Sequence, residues 1–105
     1  MDYEWDENKC QLNIQKHGID FEDAKAAFSQ PMLSRIDNRE DYGEDRWIGV
    51  GIVRENVIVI AYTEPNEETI RIISARKGTK NERESYHKEI KNRLDKGIEN
   101  EGHGN

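Results

Sequence analysis

The stretch VIVIAYTEPNEETIRIISAR, Val57 to Arg76, decides how this chain folds. Val57–Ile60 is an unbroken β-branched run, the pattern of a strand covered on both faces. PNEE, residues 65–68, is a turn signal, and TIRIISAR (Thr69–Arg76) returns as a second strand. Strands joined by so short a turn pair antiparallel. Alternate residues of a regular strand face opposite sides, so Ile70, Ile72, Ser74 and Arg76 share one face. Arg71, Ile73 and Ala75 share the other.

Working outward, RWIGVGIVR (Arg46–Arg54) is a strand joined to Val57 through a turn at Glu55-Asn56, and MLSRI (Met32–Ile36) precedes it as another. The polar run DNREDYGED connects them. Upstream of Pro31 lie two short helices. The first is capped by Asp6, turns Cys10, Ile14 and Leu12 inward and closes at Gly18, a residue suited to the left-handed end position. The second is capped by Asp20 and carries the apolar stripe Phe21, Ala24, Ala27 and Phe28. YEW at the N-terminus reads as a short strand. Downstream, Thr79 or Asn81 starts a long helix with Tyr86, Ile90 and Leu94 at i, i+4 and i+8. The predicted order is β-α-α-β-β-β-β-α, an α+β domain over residues 1–96 with helices packed on a small antiparallel sheet. Residues 97–105 are expected to form a frayed polar tail.

The chain has 105 residues, of which 33% are hydrophobic and 36% charged, so it holds one modest core beneath a very polar surface. It has no apolar run long enough for a bilayer and no basic-then-apolar leader, which predicts a cytoplasmic protein without membrane contact. The single Cys10 cannot form an internal disulfide, and no Cys/His spacing suggests a metal, so no cofactor is expected. His87 and His103 stand in no motif and read as solvated residues.

Net charge is −6, yet it is unevenly placed. Residues 1–45 carry twelve acids against five bases, whereas residues 71–96 carry nine bases against four acids. A polyanion responds to the local patch rather than to the total. Arg71 and Arg76 are unusual in a short strand of isoleucines. Either they face solvent at a sheet edge and pair with acids, or their planar forks hold phosphate oxygens at the sheet surface. Lys77, Lys80 and Arg83 extend the patch into the helix start, where cations oppose the macrodipole at a small cost.

Two segments also carry a family resemblance. YEWDENKCQLNIQKHGIDFEDAKAAF contains Trp5, Asp6, Lys9, Asn13, Lys16, His17, Gly18, Ile19, Phe21, Glu22 and Ala24 at the spacing of one motif, and RIISAR supplies a second. Together, over Tyr3 to Tyr86, they resemble the BrnT family of type II toxins. That resemblance implies a RelE-like ribonuclease that needs no metal, cuts RNA and slows translation. It implies a partner too: a BrnA-like antitoxin with a ribbon-helix-helix segment, through which the pair reaches operator DNA. A domain that keeps antitoxin pairing and operon repression without cleavage is the alternative.

Metal-free RNA cleavage needs a base for the 2′-hydroxyl, an acid for the leaving 5′-oxygen and cations for the crowded phosphate. Arg71 and Arg76 are the candidate cations. His17 belongs to the side-chain type that ionises nearest neutrality and suits acid or base work, or else simply complements a helix C-terminus. Glu64 is a base or a cross-hairpin partner of Arg71. Tyr86 is a proton donor or stacking platform, or packs on the apolar stripe. Lys9 and Lys16, seven apart on one helix face, are placed to join the RNA-binding patch with Lys77, Lys80 and Arg83. If Arg71 and Arg76 both serve one phosphate, the strand must end or bulge between them.

Overall fold

The computed structural model describes residues 1–39, 41 and 43–103, the side chains of residues 96–103 excepted. The element order is β1 (Asp2–Glu4), α1 (Glu7–His17), α2 (Phe21–Ala24) running into a 3₁₀ segment (Lys25–Ser29), β2 (Leu33–Ile36), β3 (Arg46–Val53), β4 (Asn56–Asn66), β5 (Thr69–Lys77) and α3 (Lys80–His103). This is the α+β order that the sequence predicts. The five strands form one sheet in the order β1-β5-β4-β3-β2. β2 to β5 are an antiparallel meander, while β1 lies parallel to β5 with Asp2 opposite Thr69 and Glu4 opposite Arg71. The sheet is therefore mostly, not wholly, antiparallel: β1 takes the free edge of β5, and helices and meander together form the crossover that a parallel pair requires. The predicted tail over residues 97–105 falls where side chains or whole residues lie outside the described set.

The caps explain where the helices begin and end. Asp6 accepts a hydrogen bond from the Lys9 backbone N–H at 3.1 Å, and Gly18, with φ 72°, gives its N–H to the Ile14 carbonyl at 2.8 Å. Asp20 accepts from the Glu22 N–H at 2.9 Å. The second helix keeps α geometry for only four residues and tightens to 3₁₀ before Gln30, whose extended backbone (φ −116°, ψ 165°) is what a following proline demands. Thr79 caps α3 reciprocally. Its hydroxyl accepts from the Glu82 N–H at 3.2 Å, and Glu82 Oε1 accepts from the Thr79 N–H at 2.8 Å.

One sheet face carries the core. Cys10 of α1, Phe21 and Ala24 of α2 and Ala27 of the 3₁₀ segment pack on Ile58, Ile60, Tyr62, Ile70, Ile72 and Ala75, with Tyr3, Trp5, Ile14, Phe28 and Trp47 around them. Val57–Ile60 is buried throughout, as a strand covered on both faces must be. Beyond β1 the edge of β5 is capped by a side chain. Asn13 accepts from the Ala75 N–H at 3.1 Å, donates to the Ala75 carbonyl at 2.9 Å and donates to the Ile19 carbonyl at 2.9 Å. Its carboxamide thus replaces a neighbouring strand. α3 starts on the opposite face, where Tyr86 is buried and gives its hydroxyl hydrogen to the Pro31 carbonyl at 2.6 Å. Its apolar stripe then loses cover: Ile90 is half-buried and Leu94 is 61% exposed, and on α1 Leu12 faces outward at 62% exposed rather than inward.

Candidate functional site

β5 is not regular. Ala61 pairs with Ser74 and Tyr62 with Ile72, which leaves Ile73 as an extra residue in β5. This bulge resets the alternation. Ile70, Ile72 and Ala75 remain on the core face, while Arg71, Ser74 and Arg76 all turn to the α3 face. The two arginines that a regular strand sets on opposite sides therefore share one, as the phosphate reading requires.

Sharing a face does not bring them to one point. Arg71 and Arg76 stand five residues apart, roughly 15 Å along a strand. Arg71 sits at the β1 end, with Nη2 3.6 Å from Glu4 Oε2. The acid beside it is thus Glu4 of the parallel strand, not Glu64, which is exposed beyond the buried Thr63. Arg76 stands at the other end, against the start of α3.

Around Arg76 the sheet and α3 enclose a cavity of about 420 Å³. Its apolar wall is Leu33, Ile48, Val50, Val59 and Ala61, and its polar wall is Arg35, Arg39, Ser74, Arg76, Asn81, Glu82, Ser85 and Tyr86. Register explains the assembly: Leu33 faces Val50, Arg35 faces Ile48, Val59 faces Arg76 and Ala61 faces Ser74, one continuous surface across four strands. Ala61 and Ser74 are short, which leaves room beneath the helix. Arg39 reaches the rim from the segment after β2, where its Nε and Nη2 hold both oxygens of the buried Asp37 at 2.8 and 2.9 Å.

Arg76 and Glu82 form the polar centre. Nη1 and Nη2 of Arg76 donate to Oε1 and Oε2 of Glu82 at 2.7 and 2.9 Å, and Nη1 also donates to the Lys77 carbonyl at 3.2 Å. The hydrogen bonds from Arg76, joined by that from the Thr79 N–H, hold the Glu82 carboxyl well below its ordinary range, at about 2. The same pair raises Arg76. Glu82 engages the guanidinium end-on, so its Nε side faces away from these contacts. Burial pushes Tyr86 up, and its hydroxyl is already committed to Pro31.

The remaining residues singled out in the sequence lie elsewhere. Lys77 and Lys80 are exposed beside the strand-to-helix junction, and Arg83 Nη1 donates to the Gly78 carbonyl at 2.9 Å. Lys9, Lys16 and His17 belong to α1, which packs on the core face and along the β5 edge; none of them lines the cavity. Conversely, Arg35, Arg39 and Glu82 are in the site without having been singled out. Glu82 left a trace, the Thr-x-x-Glu spacing of a capping box, whereas Arg35 is placed by cross-strand register and Arg39 by its bonds to Asp37 in the segment after β2. Among the described residues no group of three or more His, Cys, Asp or Glu side chains is placed to hold a metal ion, and no helix is long and apolar enough to cross a membrane.

Comparison with known proteins adds two findings. Residues 5–82 match the family model described as the ribonuclease toxin BrnT of type II toxin-antitoxin systems. The fold is similar to the crystal structure of the Brucella abortus ribonuclease toxin BrnT, at 28% identity and a TM-score of 0.60, covering 76% of this chain and 99% of that one. No curated protein matches the chain in sequence.

Proposed function

The chain belongs to the BrnT family, the ribonuclease toxins of type II toxin-antitoxin systems, and from that premise we propose that it cuts RNA at the arginine-lined cavity beneath α3. The observation that carries this reading is the gathering of Arg35, Arg39 and Arg76 around one hollow of an otherwise acidic chain. Guanidinium groups fixed by a sheet neutralise the charge that builds on phosphorus as the 2′-oxygen attacks, and they need no metal for it. Arg76 is the principal phosphate ligand and Arg35, which makes no ion pair among the described residues, is the second. Arg71, Lys77, Lys80 and Arg83 hold the strand on either side, the first from the far end of the same sheet face. Tyr86 forms the wall. Cleaving message in the cytoplasm slows translation, and a BrnA-like antitoxin of the ribbon-helix-helix kind, which also carries the pair to operator DNA, holds the activity in check.

The test is cleavage of a single-stranded RNA by the purified chain in excess EDTA. Wild type is expected to cut and to leave 2′,3′-cyclic phosphate ends, with a 2′-deoxy substitution at the scissile nucleotide blocking the cut. Arg76→Ala is expected to lose about 10²- to 10³-fold in rate, the usual cost of removing one donor to a developing oxyanion. Arg93→Ala, on the outer part of α3 with Glu89, is expected to retain activity. A folded wild-type chain that leaves RNA intact while still binding antitoxin moves the assignment to the non-catalytic co-repressor.

A further inference from the structure

Resting on that reading of the cavity, we propose that Glu82 is the general base that removes the proton from the attacking 2′-hydroxyl. Among the described residues that line the cavity, Glu82 is the one carboxylate. Other carboxylates are out of place: Asp37 is buried and clasped by Arg39, and Glu64 and the helical neighbour Glu84 are exposed and do not line the cavity. His17 does not line the cavity, and the hydroxyl of Tyr86 is held by Pro31.

The geometry of the pair favours this role. Arg76 presents the ends of its fork, Nη1 and Nη2, to Glu82. A phosphate taking the adjacent Nε–Nη2 edge lies beside the carboxylate, bridged to it by one guanidinium. Oε1 accepts two hydrogen bonds, from Arg76 and the Thr79 N–H, whereas Oε2 accepts only that from Arg76 Nη2. Oε2 therefore keeps a lone pair for a proton. The capping box fixes the carboxylate from the other side, so its position does not depend on substrate.

The step balances without a further reagent. Oε2 takes the 2′-hydroxyl proton as the 2′-oxygen forms its bond to phosphorus. The bond from phosphorus to the 5′-oxygen breaks, and that oxygen leaves with the electron pair and takes a proton from water. The hydroxide so formed recovers the proton from Glu82. The charged and titratable groups that line the cavity with Glu82 are Arg76 of β5, which it contacts, Arg35 of β2, Arg39 after β2 and Tyr86 of its own helix. Arg76 depresses the basicity of Glu82 in the free protein, and sharing the guanidinium with a phosphate restores part of it.

Two variants of the full chain test the assignment on single-stranded RNA in EDTA. Glu82→Gln keeps the amide oxygen that a capping box accepts, but it cannot take a proton. It is expected to lower kcat by about 10²- to 10⁴-fold, the range for general acid–base catalysis, with KM unchanged or lower. Glu82→Ala is expected to regain activity on addition of formate, in proportion to formate ionised. A Glu82→Gln chain that cuts at the wild-type rate, or one whose loss lies in KM alone, overturns the assignment, since a purely structural ion pair predicts those results. If Glu82→Ala fails to fold, Glu82→Gln decides alone. Activity in Glu82→Gln with loss in Arg76→Ala removes the base but leaves the cavity as the site; a wild-type chain inert toward RNA removes both.

Discussion

Asn13 and Glu82 are both polar side chains whose work is set by three hydrogen bonds each. The Asn13 carboxamide completes the edge of β5, so removing it strands a buried N–H and a buried carbonyl at Ala75. Asn13→Ala is expected to cost about 2–4 kcal/mol in urea unfolding, the penalty for orphaned backbone groups rather than for the bonds themselves. Glu82 contributes through linkage. Its carboxyl falls from an ordinary 4.5 to about 2 in the folded chain, so its stabilisation is complete above pH 4.5 and is lost as pH falls toward 2. Arg76 and Glu82 are 42% and 32% exposed, and solvent screening discounts the interaction to roughly 1–2 kcal/mol. Glu82→Gln is expected to remove that part of the acid dependence between pH 4.5 and 2, read by thermal unfolding across the range.

At the scale of elements, β5 and α3 each depart from the ideal in a way that serves the site. The Ile73 bulge lets one strand feed isoleucines to the core and still turn Arg71 and Arg76 to the same surface. Deleting Ile73 removes the extra residue, so that Arg71 and Arg76, then four apart, share one face of a regular strand while Ile70, Ile72 and Ala75 stay on the core face. The deletion variant is expected to fold, read by thermal unfolding, and to keep RNA binding, whereas one further residue inserted beside Ile73 is expected to lower both, since it turns one half of the strand over. Among the described residues, α3 is tied near its start by the Thr79–Glu82 box, the Arg76–Glu82 pair and Tyr86. Tyr86→Phe removes the bond to Pro31 and is expected to cost about 1 kcal/mol with cleavage retained. A large loss of rate in a stable Tyr86→Phe chain would instead give the phenol a part in proton transfer.

Over the whole molecule, charge is sorted by face as much as by position in sequence. Twelve acids fall in residues 1–45, yet Arg35 and Arg39 of that acidic half join Arg76 across the sheet. The three arginines of the cavity, with Arg71, Lys77, Lys80 and Arg83 on either side of it, predict a log–log slope of RNA affinity against salt of about −5. Arg35→Ala is expected to lower the slope by about 0.7, as one phosphate contact is lost. His17→Ala is expected to cut RNA at close to the wild-type rate, because α1 contributes nothing to the cavity wall.

The sequence by itself determined the element order, the helix caps at Asp6, Gly18 and Asp20, the antiparallel meander and the family. These follow from local steric and hydrogen-bonding preferences and from hydrophobic period, which act over a few residues. It also pointed to Arg71 and Arg76 and to the irregularity needed between them. Only the tertiary structure decided the parallel seat of β1, the pairing of Arg71 with Glu4, and the joining of Arg35, Arg39, Arg76 and Glu82 around one hollow. Those depend on which residues stand opposite one another across strands far apart in the chain. A one-residue change of register turns every side chain to the other face, and no local preference along the sequence carries that information.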